Sequence, residues 1–394
     1  MPVIPKVHLK AYADKRLKNG HLWVFSNELN QVPKDIPVGS TVEVINGKGS
    51  SFGLGFYNPN SLISVRLLGI NNLIDEKFFF DRINQALDYR KLLFPNTDNY
   101  RLIFGESDGL PGLVVDRYGD YLSIQSLSSG IEVNMPIITD ALLKAFPNTK
   151  GIIAKNISRL RLIENLEQKE EVLFGEIPEE IFITENGVKL SLNLVSGQKT
   201  GYFLDQKVNR KFLQSISKGK SVLDCFCNQG GFALNAALAG ASKAQGIDSS
   251  KDAIASSLKN KEINNFTNVD FQVKEVFEYL EKAASENEKW DIIVLDPPAF
   301  AKKRKEVGAA KHGYSKINRL ALEMLNNNGI LISSSCSQAV EEETFLELIT
   351  REAAKQRKQL QLIFRGGQSP CHPILMSMPE TNYLKFFAFK VISY

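Results

Sequence analysis

The stretch that decides the fold runs Ser221-Val222-Leu223-Asp224-Cys225-Phe226-Cys227-Asn228-Gln229-Gly230-Gly231-Phe232. It begins as a short apolar strand, turns at two glycines and leads into a helical pattern. Further apolar runs follow, separated by helical patterns. This alternation predicts right-handed crossovers and an α/β fold, a doubly wound and mostly parallel sheet with helices on both faces. The predicted strands are 221–224, 244–248, 269–273, 291–295, 329–333, 362–365 and 383–392, and the predicted helices are 232–239, 251–264, 276–284 and 316–326.

The ends of the first two predicted strands carry the features of a cofactor site. Ligands of a doubly wound sheet bind at the carboxyl ends of its strands. Asp224 ends the first strand, and Gly230 lets a ligand approach the backbone where the next helix begins. Asp248 ends the second strand, where a carboxylate can accept both hydroxyls of a ribose. These ends indicate a nucleoside-containing cofactor; the alternative is an ordinary turn followed by an Asp that caps a helix.

The fourth predicted strand ends in Asp296-Pro297-Pro298-Ala299-Phe300. Two prolines end the strand and hold the loop extended. A rigid loop with a carboxylate and an aromatic ring suits a planar base that carries an exocyclic amine. S-adenosylmethionine (SAM) methyltransferases that act on bases have such a [D/N]-P-P-[F/Y/W] loop at this place. We therefore expect Asp296 to hold the edge of a base and to face the amino group of the methyl donor.

The fifth predicted strand ends in Ser333-Ser334-Ser335-Cys336-Ser337. C5 of cytosine is too weakly nucleophilic to take a methyl group unaided, whereas attack of a thiolate on C6 loads electron density onto C5. The thiolate is the reactive form of a cysteine. Free cysteines are more often small buried hydrophobic residues. The position of Cys336 after this strand, beside the Asp296 loop, nevertheless favours a catalytic nucleophile.

Composition excludes several classes of protein. The 394 residues carry 48 Lys+Arg and 44 Asp+Glu, a net charge of +4. The length predicts two or three domains, and the ordinary content of hydrophobic and charged residues excludes disordered and fibrous proteins. There is no apolar run of about 18 residues, as a membrane span would need, and no signal-peptide pattern at the start. All four cysteines lie between Cys225 and Cys371, without a disulfide framework. We therefore expect a cytoplasmic protein.

The rhythm of the sequence changes twice along the chain. Short β-type runs separated by turns, with the hairpin signal Asn46-Gly47, predict a small β-barrel at the start. A mixed pattern, with helices over 77–93 and 131–146 among short strands, predicts an α+β domain in the middle. The α/β pattern fills the rest. The three predicted domains are residues 1–72, 73–184 and 185–394.

Motifs along nearly the whole chain resemble one family. Besides the strand-end loops, they are residues 21–28, 55–59, 106–113, 199–206, 313–318 and 379–385. With these motifs the chain resembles the RlmI/YccW-type ribosomal RNA large subunit methyltransferases, which are SAM-dependent cytosine-5 enzymes. Several motifs in the right order are far more specific than any one of them alone.

The resemblance implies an N-terminal PUA β-barrel that binds RNA, a central α+β domain and a C-terminal Rossmann-like class I methyltransferase domain. It implies SAM as the cofactor and large-subunit ribosomal RNA, 23S, as the partner, and it leaves a homodimer open because dimers occur in the family. The implied catalytic residues are Cys336 and Asp296. The implied cofactor-binding residues are Tyr202, Asp224, Phe226, Gly230, Asp248, Glu275, Val276 and Asp296. Departures from the family pattern, at Leu22, Glu275 and 371–373, do not touch the catalytic pair.

A basic run, 302–305, flanks the Asp296 loop. Such a run is usually a solvated loop, but beside a base-modifying site it equally suits contact with phosphates. Phe300 and Tyr314 either stack on a base or pack in the core. The candidate substrate-binding and RNA-binding residues are Pro297, Pro298, Phe300, Lys302, Lys303, Arg304 and Tyr314.

The sequence raises three interpretations besides cytosine-5 methylation. The first concerns a metal site, and the other two are rival functions. A metal site at Cys225 and Cys227 is not expected, because a C-x-C pair at a strand end chelates poorly. A guanine N-methyltransferase of the same fold would carry a similar proline loop and need no cysteine. An RNA-binding or ribosome-assembly protein with a degenerate methyltransferase domain is the third. The intact series of acids at the strand ends argues against it.

Overall fold

In the computed structural model of the chain, residues 3–69, 73–197, 200–301 and 303–394 are described. The strands are β1 (Lys6–His8), β2 (Trp23–Phe25), β3 (Thr41–Ile45), β4 (Ser51–Tyr57), β5 (Ile63–Leu67), β6 (Asn99–Phe104), β7 (Leu113–Tyr118), β8 (Tyr121–Ser126), β9 (Gly151–Asn156), β10 (Lys169–Gly175), β11 (Ile181–Glu185), β12 (Val188–Leu192), β13 (Ser221–Cys225), β14 (Lys243–Asp248), β15 (Val269–Val273), β16 (Trp290–Leu295), β17 (Leu325–Ser335), β18 (Lys358–Gly366) and β19 (Lys385–Ser393). The α-helices are α1 (Lys15–Lys18), α2 (Glu76–Leu93), α3 (Ser129–Val133), α4 (Met135–Ala145), α5 (Arg159–Ile163), α6 (Lys207–Ile216), α7 (Gly231–Leu238), α8 (Lys251–Ile263), α9 (Val276–Ser285), α10 (Val307–Met324) and α11 (Glu342–Lys355). Across these described residues, no helix combines the length and the apolar character that crossing a membrane requires.

The chain forms two compact units, each built from segments that are distant in sequence. The first comprises the residues up to Ile181 together with Leu192–Leu204 and Pro370–Asn382. The second comprises Phe182–Ser191, Asp205–Ser369 and Tyr383–Tyr394. The first unit contains two five-stranded sheets, and the second contains a seven-stranded sheet.

The N-terminal sheet of the first unit has the strand order β1-β3-β4-β5-β2. The predicted hairpin at Asn46 joins β3 to β4, but its loop is longer than a two-residue turn. The Asn46 side chain accepts hydrogen bonds from the backbone N–H groups of Lys48 and Ser50, both at 2.9 Å. The side chain thus closes the loop in the way that Asn commonly does in turns.

The other sheet of the first unit has the order β10-β9-β8-β7-β6, and α2 and α4 contribute to its hydrophobic core. The single helix predicted over 131–146 is two helices, α3 and α4, which meet at Asn134. Pro136 lies in the first turn of α4. Because proline has no N–H and clashes with a preceding helical turn, it is tolerated at a helix start and not in the interior.

A buried ion pair anchors the segment that leads out of the first unit. Asp116 on β7 has no exposed surface, and its carboxylate accepts two hydrogen bonds from the guanidinium of Arg101, both at 2.8 Å. The hydroxyl of Thr200 donates to the same carboxylate. Two residues on, the backbone N–H of Tyr202 donates to the Tyr118 hydroxyl at 3.0 Å. The segment that contains Tyr202, a predicted cofactor-binding residue, is therefore fixed to β7.

The sheet of the second unit has the order β15-β14-β13-β16-β17-β19-β18. The strands from β15 to β17 are parallel, and β19 is antiparallel to both of its neighbours. The predicted doubly wound, mostly parallel sheet is confirmed. The strand order reverses at β13, and at such a point the carboxyl ends of neighbouring strands open onto a crevice.

The helix before β17 is longer than its sequence pattern predicts. The pattern predicts residues 316–326, whereas α10 begins at Val307 and ends at Met324. Gly308 and Gly313 lower the helical propensity of its first half. A Cβ at Gly313 would lie 3.1 Å from the Phe300 ring, so tertiary packing against the Asp296 loop accounts for a glycine there.

Replacement of Asp116 by Ala should destabilise the first unit by about 3–5 kcal/mol, because it leaves the Arg101 charge uncompensated beside the core. Urea denaturation of the full chain measures the change. The matched control is Asp81→Ala, which removes one partner of the exposed Lys77–Asp81 pair and should change little. Equal unfolding midpoints for the two variants would contradict the anchoring role of Asp116.

Candidate active site

The carboxyl ends of four neighbouring strands form the candidate site. Asp224 lies on β13, Asp248 ends β14, Asp296 follows β16, and Cys336 follows β17. Since these strands are parallel and adjacent, the four residues lie along one edge of the sheet. The structure therefore brings together the four residues that the sequence analysis places at the ends of strands.

The loop after β13 turns sharply through left-handed backbone conformations. The φ angles of Phe226, Asn228 and Gly230 are 63°, 46° and 79°. A Cβ at Gly230 would lie 2.7 Å from the Phe271 ring, so only glycine fits there without a shift. The loop ends at the start of α7, and the N-terminus of a helix is a place that favours polar ligands.

Asp248 is fixed by the same loop. One of its oxygens accepts the backbone N–H of Asn228 at 3.0 Å, and the other accepts that of Ser250 at 2.9 Å. A carboxylate offers about four acceptor positions, so both oxygens retain capacity for a ligand hydroxyl. The cap of α8 is Ser250, whose hydroxyl accepts the N–H of Ala253 at 3.2 Å. The N-cap residue of α8 is therefore Ser250 and not Asp248, and the assignment of Asp248 to the cofactor stays a prediction.

Asp224 has no exposed surface. One of its oxygens accepts the backbone N–H of Ala233 at 2.9 Å, and the other has no hydrogen-bond donor within the described ranges. Burial raises the pKa of Asp224 to about 8, and the charges of Asp296 and Asp248 contribute to the increase. A buried polar atom without a hydrogen-bond partner is unfavourable, so this edge of the sheet fits a cofactor that supplies a partner.

Asp296 is held by two donors. The Gln206 amide donates to its Oδ1 at 3.0 Å, and the Ser334 hydroxyl donates to the same oxygen. Burial raises the pKa of Asp296 to about 6; the charge of Asp205 adds to the increase, while the two hydrogen bonds oppose it. Near neutral pH this carboxyl group can therefore exchange its proton, which suits a group facing a base.

Asp205 forms part of the same polar cluster. Its side chain accepts a hydrogen bond from the Tyr383 hydroxyl at 2.6 Å, and its backbone carbonyl accepts the N–H of Ser369 at 2.7 Å. Gln206 also accepts from the Asn209 amide at 2.6 Å. The start of α6 and the segment before β19 are thereby joined beside Asp296.

Cys336 is the half-buried cysteine; the other three are buried. Its sulfur lies 4.0 Å from the carbonyl oxygen of Pro297 in the proline loop. Burial raises the pKa of the Cys225 and Cys227 thiols well above the ordinary value, which leaves them unreactive. Among the cysteines, the thiol beside the loop is thus the one suited to nucleophilic attack.

The other residues predicted to bind the cofactor differ in their exposure and packing. Glu275 is exposed and caps α9, with its carboxylate accepting the N–H of Phe277 at 3.4 Å. Val276 is buried in the core, so its side chain is directed away from solvent. The rings of Phe226 and Phe277 pack with Phe300 into an aromatic cluster, with centroid separations of 6.5 and 5.9 Å to Phe300.

Tyr202 belongs to the first unit, whereas the other predicted cofactor residues belong to the second. It is buried and contacts Tyr118 through its backbone. Its contact with the cofactor stays a prediction.

The predicted substrate residues differ in their exposure. Tyr314 has no exposed surface, and its hydroxyl lies 2.8 Å from that of Ser335 and 2.9 Å from that of Ser337. Because the Tyr314 ring has no exposed surface, packing in the core is the right interpretation and stacking on a base is wrong. Its hydroxyl supports the strand end that carries Cys336. Phe300, 4.8 Å from the Tyr314 ring, is half-buried.

The structure describes Pro297 and Pro298 of the proline loop in full, but the basic run 302–305 only in part. Pro297 is buried, whereas Pro298 and Lys303 are exposed. Lys302 lies outside the described residues, and so does the side chain of Arg304. Within the described parts of the chain, no group of His, Cys, Asp and Glu side chains is arranged to bind a metal ion.

Sequence reasoning missed three residues that contact the predicted site. Gln206 and Ser334 bind Asp296, and Lys385 lies at the Cys336 end of β19. Each stands inside a stretch that was recognised as a motif or strand end. Nothing in the local sequence indicates which partner each would find, since the partners are distant along the chain.

Comparisons with known proteins bear on the family, the fold and the cofactor class of the chain. A family model for SAM-dependent methyltransferases matches residues 158–375, and a model for a PUA-like domain matches residues 7–69. Ribosomal RNA large subunit methyltransferase I of Aliivibrio fischeri is 36% identical over 98% of this chain and 99% of its own length. The protein of that name from Klebsiella pneumoniae is 35% identical over 99% of each chain.

Solved structures similar to this chain are also methyltransferases. A candidate SAM-dependent methyltransferase from Streptococcus mutans is 26% identical, with a TM-score of 0.83 over 98% of this chain and 100% of its own. A second methyltransferase structure, SMU.776 in complex with SAH, is 26% identical, with a TM-score of 0.85 and the same coverage. The predicted fold class and the predicted SAM cofactor are confirmed.

Asp248→Asn should weaken SAM binding about 10-fold or more, because one oxygen that can accept a hydroxyl becomes an N–H₂ group. Isothermal titration calorimetry of the full chain with SAM measures the change. Asp270→Asn is the matched control, since Asp270 lies on the neighbouring strand β15 with a largely exposed side chain. Unchanged affinity in the Asp248 variant would contradict its assignment to the cofactor.

The stability of the chain without cofactor should depend on the protonation of Asp224. The folded state raises its pKa from 3.8 to about 8, so it binds the proton more tightly than the unfolded state does. The resulting stabilisation is complete below pH 3.8 and is lost as the pH rises through about 8. Asp224→Asn does not titrate and should therefore lose less stability across this range.

Thermal unfolding at a series of pH values tests this expectation. Asp270→Asn, with its exposed side chain, serves as the control and should follow the unmodified chain. Parallel curves for the Asp224 variant and the unmodified chain would show that Asp224 is ionised in the folded state.

Proposed function

This chain belongs to the ribosomal RNA large subunit methyltransferase I family of SAM-dependent methyltransferases, and we propose that it methylates C5 of a cytosine in large-subunit ribosomal RNA. The observation that carries the proposal is the half-buried thiol of Cys336, 4.0 Å from the Pro297 carbonyl and one strand away from Asp296. A thiol beside a base-binding loop suits a reaction at C5, which needs a nucleophile at C6.

The RNA is expected to approach the proline loop. A PUA-like domain matches the start of the chain, and Lys303 is exposed beside the loop. Lys302, Lys303 and Arg304 are proposed to contact phosphates. The target cytosine has to leave its stack to reach the crevice, as bases do in enzymes that modify them. The exposed Pro298 and the half-buried Phe300 are proposed to border the extruded base.

Asp296 is proposed to hold the cytosine by its polar edge. Its Oδ1 accepts from Gln206 and Ser334, while its Oδ2 accepts no hydrogen bond within the described residues. That oxygen is free to accept the N4 amine of cytosine or, when protonated, to donate to N3. The two fixed donors keep the carboxyl group in one orientation before the base arrives.

The Cys336 thiolate then adds to C6. The new S–C6 bond forms as the C5=C6 electron pair moves onto C5 and the ring. When bound, SAM would supply an electrophilic methyl group on its sulfonium. C5 takes this methyl group as its bond to the sulfonium sulfur breaks, and S-adenosylhomocysteine leaves. Loss of the C5 proton to a base restores the C5=C6 bond as the S–C6 bond breaks, and Cys336 leaves as the thiolate. The reaction returns the cysteine unchanged.

The loop after β13 and the end of β14 are proposed to hold SAM. Asp248 is suited to the ribose hydroxyls, and the unsatisfied oxygen of Asp224 to a polar group of the cofactor. Phe226 and Gly230 shape the loop. The other proposed contacts are Tyr202, Glu275, Val276 and Asp296.

Cys336→Ala should abolish methylation and leave SAM binding unchanged. The sharpest assay uses 23S ribosomal RNA transcribed with 5-fluorocytidine, because fluorine at C5 prevents the final elimination and traps the S–C6 adduct. We expect a covalent protein–RNA complex with the unmodified chain and none with the variant. Digestion of ordinary methylated RNA should yield 5-methylcytidine by mass spectrometry.

Cys371→Ala is the matched control, since it removes a buried cysteine of the first unit. It should still form the adduct. An N-methylguanosine product without an adduct would favour a guanine N-methyltransferase of the same fold. A chain that binds RNA but not SAM would favour the RNA-binding alternative.

A further inference from the structure

One lysine lies across the strand end that carries Cys336. β17 and β19 are antiparallel, and Ser335 pairs with Lys385. The Lys385 ammonium group reaches past this pair and donates to the backbone carbonyl of Ser337 at 3.1 Å. Its side chain therefore spans from the residue before Cys336 to the residue after it.

We propose that the Lys385 ammonium group stabilises the thiolate of Cys336, as a positioning residue for the nucleophile. The inference deepens the proposed function and rests on it. A cysteine beside a fixed cation loses its thiol proton to water more readily, and the thiolate is the form that attacks C6. The lysine remains charged throughout and exchanges no proton with the substrate.

The position of Lys385 makes this charge effective. The side chain is half-buried, so its interactions are screened less than those of a surface lysine. Burial lowers the pKa of Lys385, while the nearby Cys336 and Glu342 act in the opposite direction. The hydrogen bond to a buried residue, Ser337, fixes the ammonium group at the carbonyl that directly follows Cys336 in the chain.

The other ionisable groups around the thiol come from four elements. On α10, Tyr314 is close enough that the charge of Cys336 raises its pKa, although burial is the larger cause. On α11, Glu342 forms an ion pair of 3.2 Å with Arg365 of β18. Asp296 is on the adjacent loop, held by its own donors. Lys385 is thus the cation whose hydrogen bond lies next to Cys336, while the Arg365 charge is directed to Glu342.

The test measures the thiol itself, without catalysis. The full chain is treated with iodoacetamide over a range of pH, and alkylation of Cys336 is quantified by peptide mass spectrometry. Lys385→Met should lower the alkylation rate near neutral pH by about 10-fold and move the profile to higher pH. Lys385→Arg keeps the charge and should restore most of the rate.

Lys390→Met is the matched control. Lys390 lies on the same strand, opposite Ile330, away from the thiol. Its profile should match that of the unmodified chain. The three buried cysteines report on folding, because they become alkylated only if a variant unfolds. If Lys385→Met unfolds, Lys385→Gln takes its place.

Identical profiles for Lys385→Met and the unmodified chain, with the buried cysteines protected, would overturn the inference. Loss of rate in Lys385→Arg equal to that in Lys385→Met would also overturn it, because a merely structural lysine would behave so. Failure of the proposed function is a separate result. In that case the alkylation profile still shifts, but no adduct forms with RNA that contains 5-fluorocytidine.

Discussion

The candidate site depends on one topological constraint, the reversal of strand order at β13. Parallel strands flank β13 on both sides, so Cys225 at its end lies opposite both Ile247 and Leu295. The crossovers on the two sides cover opposite faces of the sheet, and the loops diverge where they leave it. A crevice at the carboxyl ends follows from this geometry. The acids and the thiol of the proposed reaction are the residues that the strands deliver to its rim.

The rim divides into two electrostatic environments. On one side burial raises the pKa values of Asp224 and Asp296 to about 8 and about 6, and the charges of neighbouring carboxylates add to both increases. This side carries less negative charge at neutral pH than its carboxyl groups would in water. On the other side the cation of Lys385 binds the backbone carbonyl of Ser337, the residue after Cys336. The proline loop separates the two, with an oxygen of Asp296 left open between them.

Sequence patterns predicted most of what depends on neighbours along the chain. Pro297 and Pro298 end a strand because of their own chemistry, and Gly230 occupies a φ angle that other residues avoid. The predictions of helix bounds that differ from the structure also have physical causes. The helix predicted over 131–146 divides because Pro136 is tolerated at a helix start and not in the interior. The helix α10 is longer than predicted because packing overrode two glycines. Tyr314 could not be assigned from its position alone, because burial decides between packing and stacking.

The sequence by itself determined the alternation of strands and helices, the residues that follow each strand, and the presence of one cysteine after β17. The tertiary structure alone decided which groups those residues meet. Gln206 reaches Asp296 from α6, and Lys385 reaches the neighbour of Cys336 from the antiparallel β19. The reason is that strand register and burial arise from segments far apart in the chain. Local patterns specify what a residue is, whereas packing sets its partners and its charge.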